Sequence, residues 1–140
     1  MSAVSVPRLY ALRALYLLLA VGLGLSIWPS IIFAPDGPAD SKSVVRALLG
    51  AVGLCSLLGI RYPLRMLPLL LFELAWKCTW LIAFALPLWR SGSMDATTTS
   101  NAIECLVGVA LVLLVTPWSY VYQNYVRAPG APWRASASDA

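Results

Sequence analysis

The chain has 140 residues, the length of a single domain, with 60% hydrophobic and only 11% charged residues. A water-soluble domain carries roughly 25% charged residues, so this composition excludes an ordinary soluble core and names the lipid bilayer as the solvent. The net charge of +4 does not imply nucleic acid, because the basic residues punctuate the ends of apolar runs instead of forming a patch.

The first apolar segment, Leu9 to Phe33, reads LYALRALYLLLAVGLGLSIWPSIIF. Arg8 and Arg13 supply the positive flank of a signal peptide, but the run exceeds an h-region of about 7–15 residues and no A-x-A site follows. It is expected to be a retained anchor, with Gly22 and Ser26 giving it a short small-residue face. Pro35-Asp36-Gly37-Pro38 is a turn cluster, and Ser41 or Ser43 is placed to cap the second helix.

The second segment, Val44 to Ile60, carries Ala47, Ala51, Cys55 and Gly59 at steps of four, flanked by Gly50 and Gly53. Such a stripe lets two helix backbones approach closely, and the first segment is the expected neighbour. Cys55 belongs to the stripe as a small residue. Tyr62-Pro63 closes this helix and Pro68 opens the next, giving a tight hairpin.

The third segment, Met66 to Trp89, holds Glu73 and Lys77, its only two charges. An intramembrane Lys or Asp costs about 2.5–3.5 kcal/mol on translocon scales, so the pair needs partners, a cavity or a task. At 100° per residue Glu73, Lys77, Trp80 and Phe84 share a stripe of about 60°, opposite Leu71, Ala75, Cys78, Ile82 and Leu86. The polar stripe is expected to face the bundle. Lys77 lies about 16 Å along the axis from Met66, close to the middle of a core about 30 Å thick. Glu before Lys at i, i+4 is the favourable order for an ion pair, and Trp80 is placed to offer its ring to the ammonium.

The fourth segment, Ala102 to Tyr122, begins with Asn101 and Glu104 at capping-box spacing. Glu104 lies about 5 Å beyond Asn101 and Lys77 about 18 Å below Trp89, a depth difference of roughly 13 Å. Glu104 is therefore expected to cap its own helix, or to join Arg46 and Arg90 as an outer-rim charge. Pro117 frees the carbonyl of Leu113 and is read as a packing kink. Trp118, Tyr120, Tyr122 and Tyr125, followed by Arg127, form an interfacial aromatic belt, with Trp28 and Trp89 at the opposite interface. The tail 128–140 is Pro-, Gly-, Ala- and Ser-rich and is expected to be a disordered cytoplasmic segment.

All four segments suit the 20 or so residues that span a bilayer. The fold expected is all-α: residues 1–127 form a four-transmembrane-helix bundle, with helices at about 9–33, 44–60, 66–89 and 102–122. Arg8, Arg13, Arg61, Arg65, Arg127 and Arg134 gather on one side against Lys42, Arg46 and Arg90 on the other, which places both termini in the cytoplasm.

There is no histidine, and the three cysteines lie in three different segments with no C-x-x-C. No Gly-rich phosphate loop, paired carboxylates or Ser-His set is present. No metal, cofactor or catalytic residue is expected, and an enzyme is the weakest class. The function expected is a non-enzymatic accessory or scaffold subunit, with a membrane-protein partner or a second copy of the chain as its neighbour in the bilayer. The alternative is a small oligomeric transporter or channel using Glu73 and Lys77. The Leu/Ala/Gly-rich usage and small size suit a bacterial inner membrane.

Overall fold

The computed structural model describes residues 4–33 and 38–134. Helices run in the order α1 (Val6–Ser26), α2 (Trp28–Ile32), α3 (Ser41–Arg61), α4 (Leu67–Trp80), a π-helical turn (Leu81–Ala85), α5 (Leu86–Arg90), α6 (Ala96–Val115), α7 (Trp118–Val121) and a second π-helical stretch (Tyr122–Arg127). Among the described residues there is no strand. Four rods are long and apolar enough to cross a membrane: Val6–Ile32, Ser41–Arg61, Leu67–Arg90 and Ala96–Val115. We call them the first to fourth helices. Pro35-Asp36-Gly37, in the expected turn, lie outside the described residues, as does 135–140 of the tail; residues 128–134 form no helix.

The helix ends obey local chemistry, with two corrections to the sequence expectation. Asp40, rather than Ser41 or Ser43, caps the second helix, its carboxylate accepting from the Ser43 amide at 3.0 Å. The fourth helix begins at Ala96 instead of Ala102, capped by Asp95, which accepts from the Thr98 amide at 2.7 Å. A carboxylate one residue ahead of a polar stretch satisfies the orphan amides first. Asn101 and Glu104 therefore sit inside the helix and form no capping box.

Prolines interrupt three of the rods. Ile27 separates α1 from α2 just ahead of Pro29. Pro87 removes the bond to the Ala83 carbonyl, and the turn before it relaxes to π geometry, with the Leu86 amide reaching Leu81. The fourth helix stops where a kink was expected. Thr116 is extended (φ −64°, ψ 129°), and the chain restarts as α7 after Pro117. The Leu113 carbonyl that Pro117 frees accepts from the Trp118 indole at 2.8 Å.

The first and second helices pack most extensively, antiparallel, and the third lies along the fourth; the first also touches the fourth and so closes the bundle. A Cβ on Gly59 would stand 2.3 Å from the Tyr16 ring, and one on Gly53 3.2 Å from Leu23. Tyr16 is fully buried, and its hydroxyl donates to the Pro63 carbonyl at 2.9 Å. The Trp28 indole donates to the Gly50 carbonyl at 3.2 Å. The buried line is thus Gly50, Gly53, Ser56 and Gly59, at steps of three. Of the expected stripe only Gly59 is buried; Cys55 is half-buried, and Ala47 and Ala51 are exposed. Two small-residue faces lie side by side on this helix, and the bulky Tyr16, Leu23 and Trp28 select the one with glycines.

Leu12, Leu15, Tyr16, Leu67, Leu70, Val112 and Val121 form the buried core. Elsewhere apolar side chains point outward, Leu25 and Leu114 being 76% and 75% exposed. Arg8 donates to the carbonyls of Val115 and Thr116, and Arg13 to that of Ile60. These bonds bring the start of the first helix and the ends of the second and fourth to one end of the bundle. Arg61 and Arg65, both over the Tyr62 ring, lie in the turn at this same end.

Candidate functional site

The third helix turns Leu67, Leu70 and Glu73 inward in succession, so the carboxylate continues a leucine face and is only 2% exposed. Its two oxygens are met from the same helix. The Trp76 indole donates to Oε1 at 2.9 Å, and the Lys77 ammonium pairs with Oε2. The ammonium also lies 4.3 Å from the centroid of the Trp76 ring. Among the described residues this is the one ion pair.

The partner ring is Trp76 and not Trp80. Helical Cβ atoms tilt toward the N-terminus, so Lys77 turns back to reach Glu73 and lands over Trp76, while Trp80 lies one turn ahead. Phe84, expected on the inward stripe, is 62% exposed, and Ala85 is buried in its place. The π-helical turn adds one residue to the helix and moves the inward face on by one position. Of the opposite face, Ala75 and Ile82 are exposed and Leu71, Cys78 and Leu86 half-buried.

Gly108 on the fourth helix gives the lysine stem its place. A Cβ there would stand 2.7 Å from Lys77 Cε and 3.1 Å from Cδ. The sequence signal for this residue was a lone glycine inside the run Cys105–Val112.

This contact also corrects the depth of Glu104. Lys77 and Gly108 are level, and Trp89 and Ala96 each lie about 18 Å from them along their helices. The fourth helix therefore extends past its apolar run, and Glu104 lies one turn, about 6 Å, from the level of Lys77. Glu104 is exposed and, among the described residues, has no ion pair with Arg46, itself half-buried, or with the exposed Arg90.

Glu73, Lys77 and Glu104 line one cavity of about 240 Å³ between the first, third and fourth helices. Its other walls are apolar, including Leu15, Leu18, Leu19, Val107, Leu111 and Val112. One water needs about 10–15 Å³ of such space, so the cavity has room for several waters or a small solute. Two carboxylates and one ammonium leave its wall with one negative charge when all are ionised. Cys105, buried next to Glu104, is a free thiol, as are the half-buried Cys55 and Cys78. No protein-family model, curated protein or solved structure matches this chain.

Proposed function

We propose that the chain is a multi-pass protein with both termini in the cytoplasm, acting as a non-enzymatic accessory or scaffold subunit. The outward apolar surface of the four rods supports insertion in lipid. The surplus of arginine at the end where the first helix starts and the fourth stops supports the orientation. The Leu/Ala/Gly-rich composition supports a bacterial inner membrane.

One observation carries the reading of the buried pair. Both oxygens of Glu73 are engaged by Trp76 and Lys77 of its own helix, so the pair is neutral and self-contained. Its task in this reading is to hold the third helix against the fourth, with the Lys77 stem lying on Gly108. Neutralising one partner strands a buried charge, whereas neutralising both removes the problem. The test compares Glu73→Gln, Lys77→Met and the double variant for stability in detergent and for retention of co-purifying subunits. A membrane-protein partner, or a second copy, then emerges as a stoichiometric companion of wild type and double variant alike.

A second reading, a small oligomeric transporter or channel, is favoured by Glu104. This carboxylate, without an ion pair among the described residues, shares the cavity wall with Glu73 and Lys77. In that reading Glu104→Gln assembles normally and loses solute or proton flux in liposomes. Wild-type liposomes without flux above that of empty vesicles reject it.

A further inference from the structure

A second cavity, of about 430 Å³, opens at the arginine-rich end between the start of the first helix and the chain beyond the fourth. Ser5, Arg8, Trp118, Ser119 and Tyr120 are on its wall. We propose that it binds a phosphate group, supplied by the headgroup of an anionic phospholipid. The inference goes beyond the scaffold reading and rests only on the chain's lying in a bilayer.

The arginines of this end differ in what occupies them. Arg13 donates through Nε to the Ile60 carbonyl and lies over the Tyr10 ring. Arg61 and Arg65 both lie over Tyr62. Arg8 faces the cavity. Its Nη1 donates to the carbonyls of Thr116 at 3.0 Å and Val115 at 3.3 Å, which fixes the guanidinium at the wall and leaves its remaining N–H groups to a ligand. A held guanidinium suits a phosphate because its planar fork matches two oxygens at once.

The surroundings fit the same ligand. Ser5 and Ser119 share the wall, and the indole of Trp118, also on it, is held by the Leu113 carbonyl. No carboxylate among the described residues lies at this end: Asp40 and Asp95 are at the other, and Glu73 and Glu104 lie between. Trp118 and Tyr120 are amphipathic rings of the kind that sit at headgroup depth. An arginine-lined cavity at that depth is bathed in lipid phosphates, and anionic headgroups add long-range attraction to the other arginines.

The full chain is reconstituted in nanodiscs of mixed phosphatidylglycerol and phosphatidylcholine, and retained lipid is counted by native mass spectrometry after release into detergent. Wild type is expected to keep phosphatidylglycerol. Arg8→Gln should lose roughly tenfold in occupancy, the effect of one charge-assisted contact, and Arg61→Gln less than about twofold. Because Arg8 also caps the fourth helix, Ser119→Asp provides an independent variant: it puts a carboxylate into the cavity and leaves the bonds of Arg8 intact. It should lose the lipid as Arg8→Gln does, with an unchanged melting curve. Displacement of the lipid by millimolar inorganic phosphate, dependent on Arg8, supports the phosphate site and makes free phosphate its source. Equal losses in Arg8→Gln and Arg61→Gln, or wild-type retention in Ser119→Asp, overturn the proposal. A chain that stays outside the nanodisc overturns the membrane reading with it.

Discussion

Lys77 of the third helix lies directly on Gly108 of the fourth, and the space of a missing side chain is filled by the lysine stem. The atoms that a Cβ on Gly108 would meet are at the flexible end of a long chain, so the contact can give. Gly108→Ala is expected to be nearly neutral, because a small shift of Lys77 is offset by the gain of about 0.5–1 kcal/mol for Ala over Gly in a helix. Gly108→Leu cannot be accommodated so and should cost about 1–3 kcal/mol. In a double-mutant cycle with Lys77→Ala the cost should largely disappear, as read by thermal melting in detergent.

Gly59 against Tyr16 is the rigid counterpart. The ring is fully buried, its hydroxyl is tied to Pro63, and three ring atoms would lie 2.3–2.6 Å from an added Cβ. Gly59→Ala should therefore cost about 3 kcal/mol, at the upper end of overpacking effects. Gly59→Ala with Tyr16→Leu should recover part of it.

The two small-residue faces of the second helix make opposite predictions. Gly53 packs on Leu23, while Ala51 is exposed. Gly53→Leu should disrupt the first two helices, and Ala51→Leu should change stability by no more than about 0.5 kcal/mol. Unfolding of both variants in the same detergent checks this.

Asp95 carries a pH dependence of its own. Hydrogen bonds from the Thr98 backbone and side chain hold its carboxyl below the ordinary value of 3.8. A group with a depressed folded pKa contributes stability above its unfolded pKa and loses it as pH falls through the folded one. The hydrogen-exchange protection factors at Thr98 and Thr99, taken relative to the intrinsic rate at each pH, should therefore hold near neutrality and fall only below about pH 3.8. Asp95→Asn keeps a capping side chain and should remove that dependence.

Much of this bundle was legible in the sequence. The four apolar runs give the four rods, the i, i+4 spacing gives the Glu73–Lys77 contact, and Pro117 marks the break and the freed Leu113 carbonyl. The differences have local causes. Hydropathy marks where a helix enters lipid, but caps decide where it starts, so Asp95 carries the fourth helix beyond Asn101 and brings Glu104 toward Lys77. A strict 3.6-residue period puts Phe84 inside, but Pro87 induces a π-turn that shifts the face. Face geometry nominates Trp80, whereas the backward tilt of helical side chains selects Trp76. Which small-residue face packs is decided by side chains on the partner helix, which no pattern within the second helix records.

Glu73 and Lys77 are read as a self-contained structural pair. The most direct test of this reading is the unfolding free energy of Glu73→Gln, Lys77→Met and the double variant, measured with the full chain in one detergent. Each single change should cost about 3–5 kcal/mol, because each leaves a buried charge alone, and the double variant should stay close to wild type. A double variant as unstable as the sum of the two singles would contradict it.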